Sequence, residues 1–134
     1  MRYLLDTNTC IRYLNRRSAS IIRRMDAESP EDIVVCSVTR AELIFGAMKS
    51  NSPKKTRAAQ REFLEPLATL PFDNAAAEQY GLIRAHLETA GTPIGPNDLL
   101  IAAIALTHDL IVVTHNTREF SRVNGLKIED WEVD

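Results

Sequence analysis

No apolar run in this 134-residue chain approaches the roughly 20 residues of a membrane-spanning helix; the longest, Leu99 to Leu106, is far shorter. The first apolar run is interrupted by Asp6, so a secretory leader is not expected. There are only two cysteines, Cys10 and Cys36, and they form no CxxC pair. Both fall in segments that read as buried, which suits small core residues in a reducing cytoplasm. Neither GxGxxG nor GxxxxGK[ST] occurs, so dehydrogenase and kinase-type nucleotide loops are excluded. Modules that read RNA bases, such as RRM or KH, are also missing. His86 and His108 have no matching ligand spacing, which leaves His115 as the one histidine near a polar loop and argues against zinc or histidine catalysis.

What remains is a chain of the size of one domain, residues 1–134, with 45% hydrophobic content, enough for a core without disulfides. The formal charge of -2 conceals an uneven distribution. Residues 1–61 hold 12 Lys+Arg against 6 Asp+Glu, whereas residues 62–134 hold 4 against 12, and Glu129, Asp130, Glu132 and Asp134 end the chain. Such asymmetry suits either solvated helix faces with a frayed acidic tail or a surface that meets a polyanion.

Tyr3-Leu4-Leu5 reads as a buried strand stopping at Asp6, and Asp6-Thr7-Asn8 caps a helix over residues 9–16. Ser18 opens a second helix, Ile33 to Cys36 form a second strand, and Ser37 to Thr39 a turn and cap. The helix from Thr39 to Lys49 carries Val38, Ala41, Phe45 and Met48 at helical spacing, predicting that this stripe faces the core. Pro53 starts a helix to about Leu67 with Ala59, Phe63 and Leu67 inward and Lys54, Lys55, Arg57 and Arg61 outward. A short extended piece near Leu70-Pro71-Phe72 leads to Asp73, which caps a helix over residues 75–90 closed by Gly91. The helix from Asp98 to His108 is apolar nearly all round and is expected at the centre. Leu110 to Thr114 form a strong strand, and a last one lies near Leu126 to Ile128. Strands alternating with helices predict an α/β fold with a mostly parallel central sheet of four to five strands covered on both faces.

In such sheets the functional crevice lies beyond the carboxyl ends of the strands. Asp6 follows the first strand; Asn116 and Glu119 follow the strand ending at Thr114; Asp98 opens a helix, where the dipole favours negative charge. Glu42 shares the apolar side of its helix and so requires a partner. Each acid alone is as readily a cap or half of an ion pair. Together they make an all-oxygen cluster that a hard divalent cation prefers, because carboxylates about 4 Å apart repel by about 4 kcal/mol at an effective dielectric near 20. Protonation of one acid is the other way to relieve that repulsion. A site of this kind suits metal-assisted phosphodiester hydrolysis. Magnesium-assisted phosphorylation of Asp6 in a signalling domain, or a fold kept only for docking a protein, are the competing readings.

Leu5-Asp6-Thr7-Asn8, Ser37-Val38-Thr39-Arg40-Ala41-Glu42-Leu43, Pro93-Ile94-Gly95-Pro96-Asn97-Asp98 and Val113-Thr114-His115-Asn116-Thr117-Arg118-Glu119-Phe120 stand in register over essentially the whole chain. In that order they resemble the PIN-domain VapC toxins of bacterial toxin-antitoxin pairs. The resemblance implies a three-layer α/β/α sandwich and a cytoplasmic endoribonuclease dependent on one or two Mg²⁺ or Mn²⁺ ions, leaving 5′-phosphate and 3′-hydroxyl ends. It implies tRNA as substrate, initiator tRNA among the candidates, and neutralisation by a VapB antitoxin. A homodimer is implied as well, and a larger toxin-antitoxin assembly that binds operator DNA through the antitoxin. By position, Asp6, Glu42 and Asp98 match the family's metal-binding acids, Thr7 and Thr114 its supporting hydroxyls, and Asn8 its brace after the first strand. Asn116 stands where many PIN domains have Asp, so the fourth position falls to Asn116, Glu119 or a water. Lys54, Lys55, Arg57 and Arg61, with Arg12, Arg16, Arg17, Arg23 and Arg24, are the candidate phosphate contacts.

Overall fold

A computed structural model describes residues 1–133. Its centre is a five-stranded sheet in the order β3-β2-β1-β4-β5, formed by Tyr3–Leu5 (β1), Ile33–Cys36 (β2), Ala68–Leu70 (β3), Ile111–Val113 (β4) and Lys127–Glu129 (β5). Every pairing is parallel. The expected mostly parallel sheet is therefore entirely so, and the third strand lies two residues before the Leu70-Phe72 piece that the sequence suggested. Seven helices connect the strands: Thr7–Leu14 (α1), Ala19–Ala27 (α2), Ser37–Met48 (α3), Pro53–Leu64 (α4), Asn74–Thr89 (α5), Pro96–Thr107 (α6) and Thr117–Phe120 (α7).

Alternate residues of each inner strand serve opposite faces, which is the two-residue period of a β-strand made visible. Leu4, Val34 and Val112 pack with Ile83 and Leu87 of α5 and with Leu99 and Ile101 to Ala105 of α6. Tyr3, Leu5, Val35 and Val113 pack with Cys10, Ile21, Leu43 and Leu64 of α1 to α4 and with Trp131. Both faces are thus covered, as a parallel sheet requires. Nearly all-round burial of α6 follows from its place between the sheet and α5. Cys10 and Cys36 are buried free thiols. Among the described residues no helix is long and apolar enough to cross a membrane.

Local chemistry sets the helix ends. Asp6, Ser18 and Asp73 each accept a backbone N–H three residues on, at 2.9, 3.2 and 3.0 Å, so these three expected caps are made, whereas the cap expected from Ser37 to Thr39 is not. Gly91 ends α5 with φ +71°, a backbone conformation that side chains other than glycine rarely tolerate. No turn separates β2 from the next helix, because α3 begins at Ser37 itself with Cys36 as its N-cap.

Two helix faces differ from expectation. In α3 the buried positions are Thr39, Leu43 and Ala47, while Phe45 is 64% and Met48 53% exposed. The stripe Val38, Ala41, Phe45 lines an open depression, with Val38 half-buried against the core and Ala41 and Phe45 exposed. In α4 the buried positions are Gln60 and Leu64; Ala59 is exposed and Phe63 and Leu67 are half-buried. Gln60 faces inward because its amide donates to the Leu43 carbonyl at 2.9 Å, tying α4 to α3.

The acidic end also departs from a frayed tail. Trp131 is 1% exposed, meets Tyr3 edge-on at 5.0 Å and donates from Nε1 to Glu129 at 3.0 Å. Arg24 lies over its indole at 4.8 Å and pairs with Glu129 at 3.0 Å, and Arg12 pairs with Glu132. Arg12 and Arg24 are thus engaged in surface ion pairs with the acidic end of the chain. Asp134 lies outside the described residues.

Candidate active site

The strand order fixes where a site can form. The chain leaves β1 toward β2 and β3, then crosses back to place β4 on the other side of β1, so the connections diverge beyond the carboxyl ends of β1 and β4. Leu5 pairs with Val113, which sets Asp6 beside Thr114. The Asp6 N–H donates to the Val113 carbonyl at 3.1 Å. Asp6 is only 4% exposed; its carboxylate accepts the Thr9 N–H and is hydrogen-bonded by the Thr114 side chain. Burial nevertheless dominates and pushes the Asp6 pKa upward.

Glu42, on the second turn of α3, is half-buried and receives the Thr7 hydroxyl at 2.6 Å; Thr7 Oγ1 also lies 3.1 Å from Thr39 Oγ1. Thr7 thus stands between the end of β1 and α3. Asp98, in the first turn of α6, accepts from Asn116 Nδ2 at 3.0 Å. Its pKa is raised to about 6, first by burial and then by the negative charges of Asp6, Glu119 and Glu42, against the Asn116 hydrogen bond. The influence of those three charges on Asp98 puts the four acids in one neighbourhood beyond the sheet. They do not clench, however. Among the described residues only His115, Asp130 and Glu132 bring three ligand-type atoms within 4.8 Å of one another, so the close cluster expected of Asp6, Glu42 and Asp98 is instead an open ring.

Asn116 also donates to Glu119 Oε2 at 2.7 Å, and Glu119 Oε1 accepts the Gly95 N–H at 3.1 Å. Those bonds hold Glu119 below the usual carboxylate range, the Asn116 contact foremost. Asn116 is therefore a bridge between two acids, its own backbone N–H fixed by Thr114 Oγ1 at 2.9 Å. Asn8 is exposed at the rim of the crevice, and the brace expected of it is supplied by Thr9. Thr9 is buried, donates its hydroxyl to the Val113 carbonyl at 3.1 Å and its N–H to Asp6. Sequence reasoning missed Thr9; the available signal was its position at the third helical residue after a capping aspartate, where a side chain turns back toward the cap.

Among the described residues no lysine or arginine pairs with Asp6, Glu42 or Asp98. Their partners are hydroxyls and an amide, which orient a carboxylate without cancelling its charge. His115 sits beside this crevice, bonded through Nδ1 to Asp130 Oδ2 at 2.9 Å, and that bond together with Glu132 and Asp130 raises its pKa. On α4, Lys54, Lys55 and Arg61 are exposed and Arg57 is half-buried.

A parallel α/β/α sandwich with acids gathered at its topological switch point defines a class of acidic-crevice domains, and comparison with known proteins gives the family. The PIN domain matches residues 3–126, and the chain belongs to the PIN-domain family. A tRNA(fMet)-specific endonuclease VapC of Shigella flexneri is 43% identical over 131 residues, 98% of each chain. Among solved structures, the DNA-bound VapBC of Salmonella typhimurium superimposes with a TM-score of 0.92 at 41% identity over 98% of both chains. VapBC2 of Rickettsia felis, bound to a promoter DNA fragment, gives 0.90 at 34% identity over 98% of this chain and 99% of that one.

Proposed function

We propose that this chain is the toxin of a VapBC-type pair, a divalent-metal-dependent endoribonuclease acting on tRNA in the cytoplasm, with initiator tRNA the foremost substrate. The observation that carries the reading is the ring of Asp6, Glu42 and Asp98, drawn from three distant segments and matched only by neutral donors. Unpaired acids held in place are what a hard cation needs and what a protein otherwise avoids. The residues fit Mg²⁺ or Mn²⁺: all donors are oxygens, and burial of Asp6 and Asp98 makes their charges more costly when no cation is present.

Asp6, Glu42 and Asp98 would hold one or two ions, with Asn116 and Glu119 completing the ring. A bound ion supplies polarisation of the scissile phosphate and a lowered pKa for the attacking water. The chain's own part is orientation. Thr9 and Thr114 fix the Asp6 carboxylate, Thr7 fixes Glu42, and Asn116 fixes Asp98. Lys54, Lys55, Arg57 and Arg61 contribute phosphate contacts from α4. The partner is a VapB-type antitoxin whose arginine or lysine enters the acidic ring and excludes the metal. The toxin chain forms a homodimer, and the pair binds operator DNA through the antitoxin, in keeping with the DNA-bound VapBC structures of its relatives.

The test is sequencing of RNA ends after expression of the wild type and of Asp6→Asn side by side. Cuts with 5′-phosphate and 3′-hydroxyl ends in the wild type alone are the expected result. A 2′,3′-cyclic phosphate, or equal cutting by both proteins, refutes the mechanism.

A further inference from the structure

Phe45 is the most exposed aromatic ring beside the candidate active site, 64% accessible on a helix whose core-facing residues are others. It does not stand on a featureless surface. A depression of about 470 Å³ is lined by the apolar side chains of Ile11, Val38 and Phe45 together with the polar Asn8, Glu42 and Asn97. Glu42 is also one of the proposed metal-binding acids, so the depression adjoins the candidate site. Lys49, one turn after Phe45, holds its ammonium 5.0 Å from the ring centre.

We propose that Phe45 is a stacking platform for the nucleobase of an RNA nucleotide next to the scissile phosphate, with Lys49 receiving a backbone phosphate of the same strand. The proposal rests on the ribonuclease reading above and extends it to a base subsite. Several features favour this occupant over a protein surface. A base has a flat face to lie on Phe45 and a hydrogen-bonding rim to meet exposed Asn8 and Asn97, the combination the depression offers. Single-stranded RNA is bound by stacking on aromatic rings beside cationic groups. The cation supplied by Lys49 complements a phosphate, and a purely apolar partner would leave the Glu42 edge of the same hollow unsatisfied. Stacking also gives the chain a way to splay a loop open, so that the phosphate between two unstacked bases reaches Asp6, Glu42 and Asp98.

The test uses full-length protein and an initiator tRNA transcript with 2-aminopurine placed, in turn, on either side of the mapped cleavage position. Binding is followed in the Asp98→Asn background, where the RNA stays intact, and turnover in the otherwise wild-type protein with Mg²⁺. Expected results are fluorescence quenching at one of the two positions with Phe45, retention of quenching in Phe45→Tyr and loss in Phe45→Leu. Phe45→Leu also lowers kcat/KM about tenfold, while Phe45→Tyr stays within about twofold. Unfolding temperatures check that both variants are folded. Unchanged quenching and turnover in Phe45→Leu overturn the proposal, and so does a Phe45→Leu defect confined to self-association or antitoxin binding. If the wild type cuts no RNA, or Asp6→Asn cuts equally well, the ribonuclease reading fails first; a wild type that cuts while Phe45→Leu cuts alike sinks the base subsite alone.

Discussion

Two groups of acids lie side by side at the carboxyl end of the sheet and are treated in opposite ways. Glu129, Glu132 and Asp130, from the end of the chain, are matched by Arg24, Arg12 and His115. Asp6, Glu42 and Asp98 are matched by a backbone N–H, threonine hydroxyls and an asparagine amide. The first group closes a structural seam, with Trp131 sealed beneath it. The second is left with uncancelled charge in a partly dehydrated place, a cost that folding alone gives no reason to retain. Acids of one composition thus divide by the charge of their partners, and the division separates a paired structural group from the group proposed to hold metal.

The sharpest way to break this contrast is to neutralise one member of each group. Asp98→Asn should lower RNA cleavage by at least about a hundredfold, measured as kcat/KM with saturating Mg²⁺. The same change should stabilise the metal-free protein. Asp98 holds its proton up to about pH 6 in the folded chain, against 3.8 for an ordinary aspartate, so its stabilising contribution is complete below pH 3.8 and is lost as pH rises through about 6. In EDTA, urea midpoints of wild type and Asp98→Asn should therefore coincide near pH 4 and diverge above pH 6 in favour of the variant. A variant less stable at pH 7.5 would mean that Asp98 is a structural acid after all.

On the other side, Trp131→Ala should cost about 3–5 kcal/mol in denaturant unfolding, the range for removing a large buried aromatic. Mg²⁺ affinity of the molecules that remain folded should not change. Next in size, Lys54→Glu with Arg57→Glu should weaken RNA binding about tenfold and flatten its dependence on log salt by about two, without altering Mg²⁺ titrations. Equal RNA affinity would remove α4 from the interface. The smallest effect is expected at His115, where Asp130→Asn should lower the imidazole titration midpoint seen by NMR, because the Asp130 hydrogen bond is the main cause of its upward shift.

Much of this was legible in the residues before any coordinates. Abrupt apolar runs marked the strands, capping aspartates and serines marked helix starts, and an unmatched acid after each inner segment marked the crevice. The α3 face was misread because periodicity counts apolar residues without saying what they face. Val38, Ala41 and Phe45 are apolar at helical spacing, but Thr39, Leu43 and Ala47 are what α3 buries, one of them polar and one small. The tail was misread for another reason. Nothing local in Glu129-Asp130-Trp131-Glu132 announces partners such as Arg12 and Arg24, more than 100 positions away. The bridging role of Asn116 was likewise out of reach, since composition shows that an amide replaces an acid but not that it joins Asp98 to Glu119.

Placing the first strand in the middle of a parallel sheet has a consequence for how late the candidate site can be assembled. Asp6 stands at the end of β1, yet two of the groups that lock it, the Val113 carbonyl and the Thr114 side chain, come from β4 and the residue after it, far along the chain. A chain that has not yet added β4 keeps the local bond from the Thr9 N–H to Asp6 but lacks the other two, and no Asn116 is in place to hold Asp98. The candidate site is thus completed only when β4 joins the sheet, a non-local pairing whose loop-closure cost makes it slow to form.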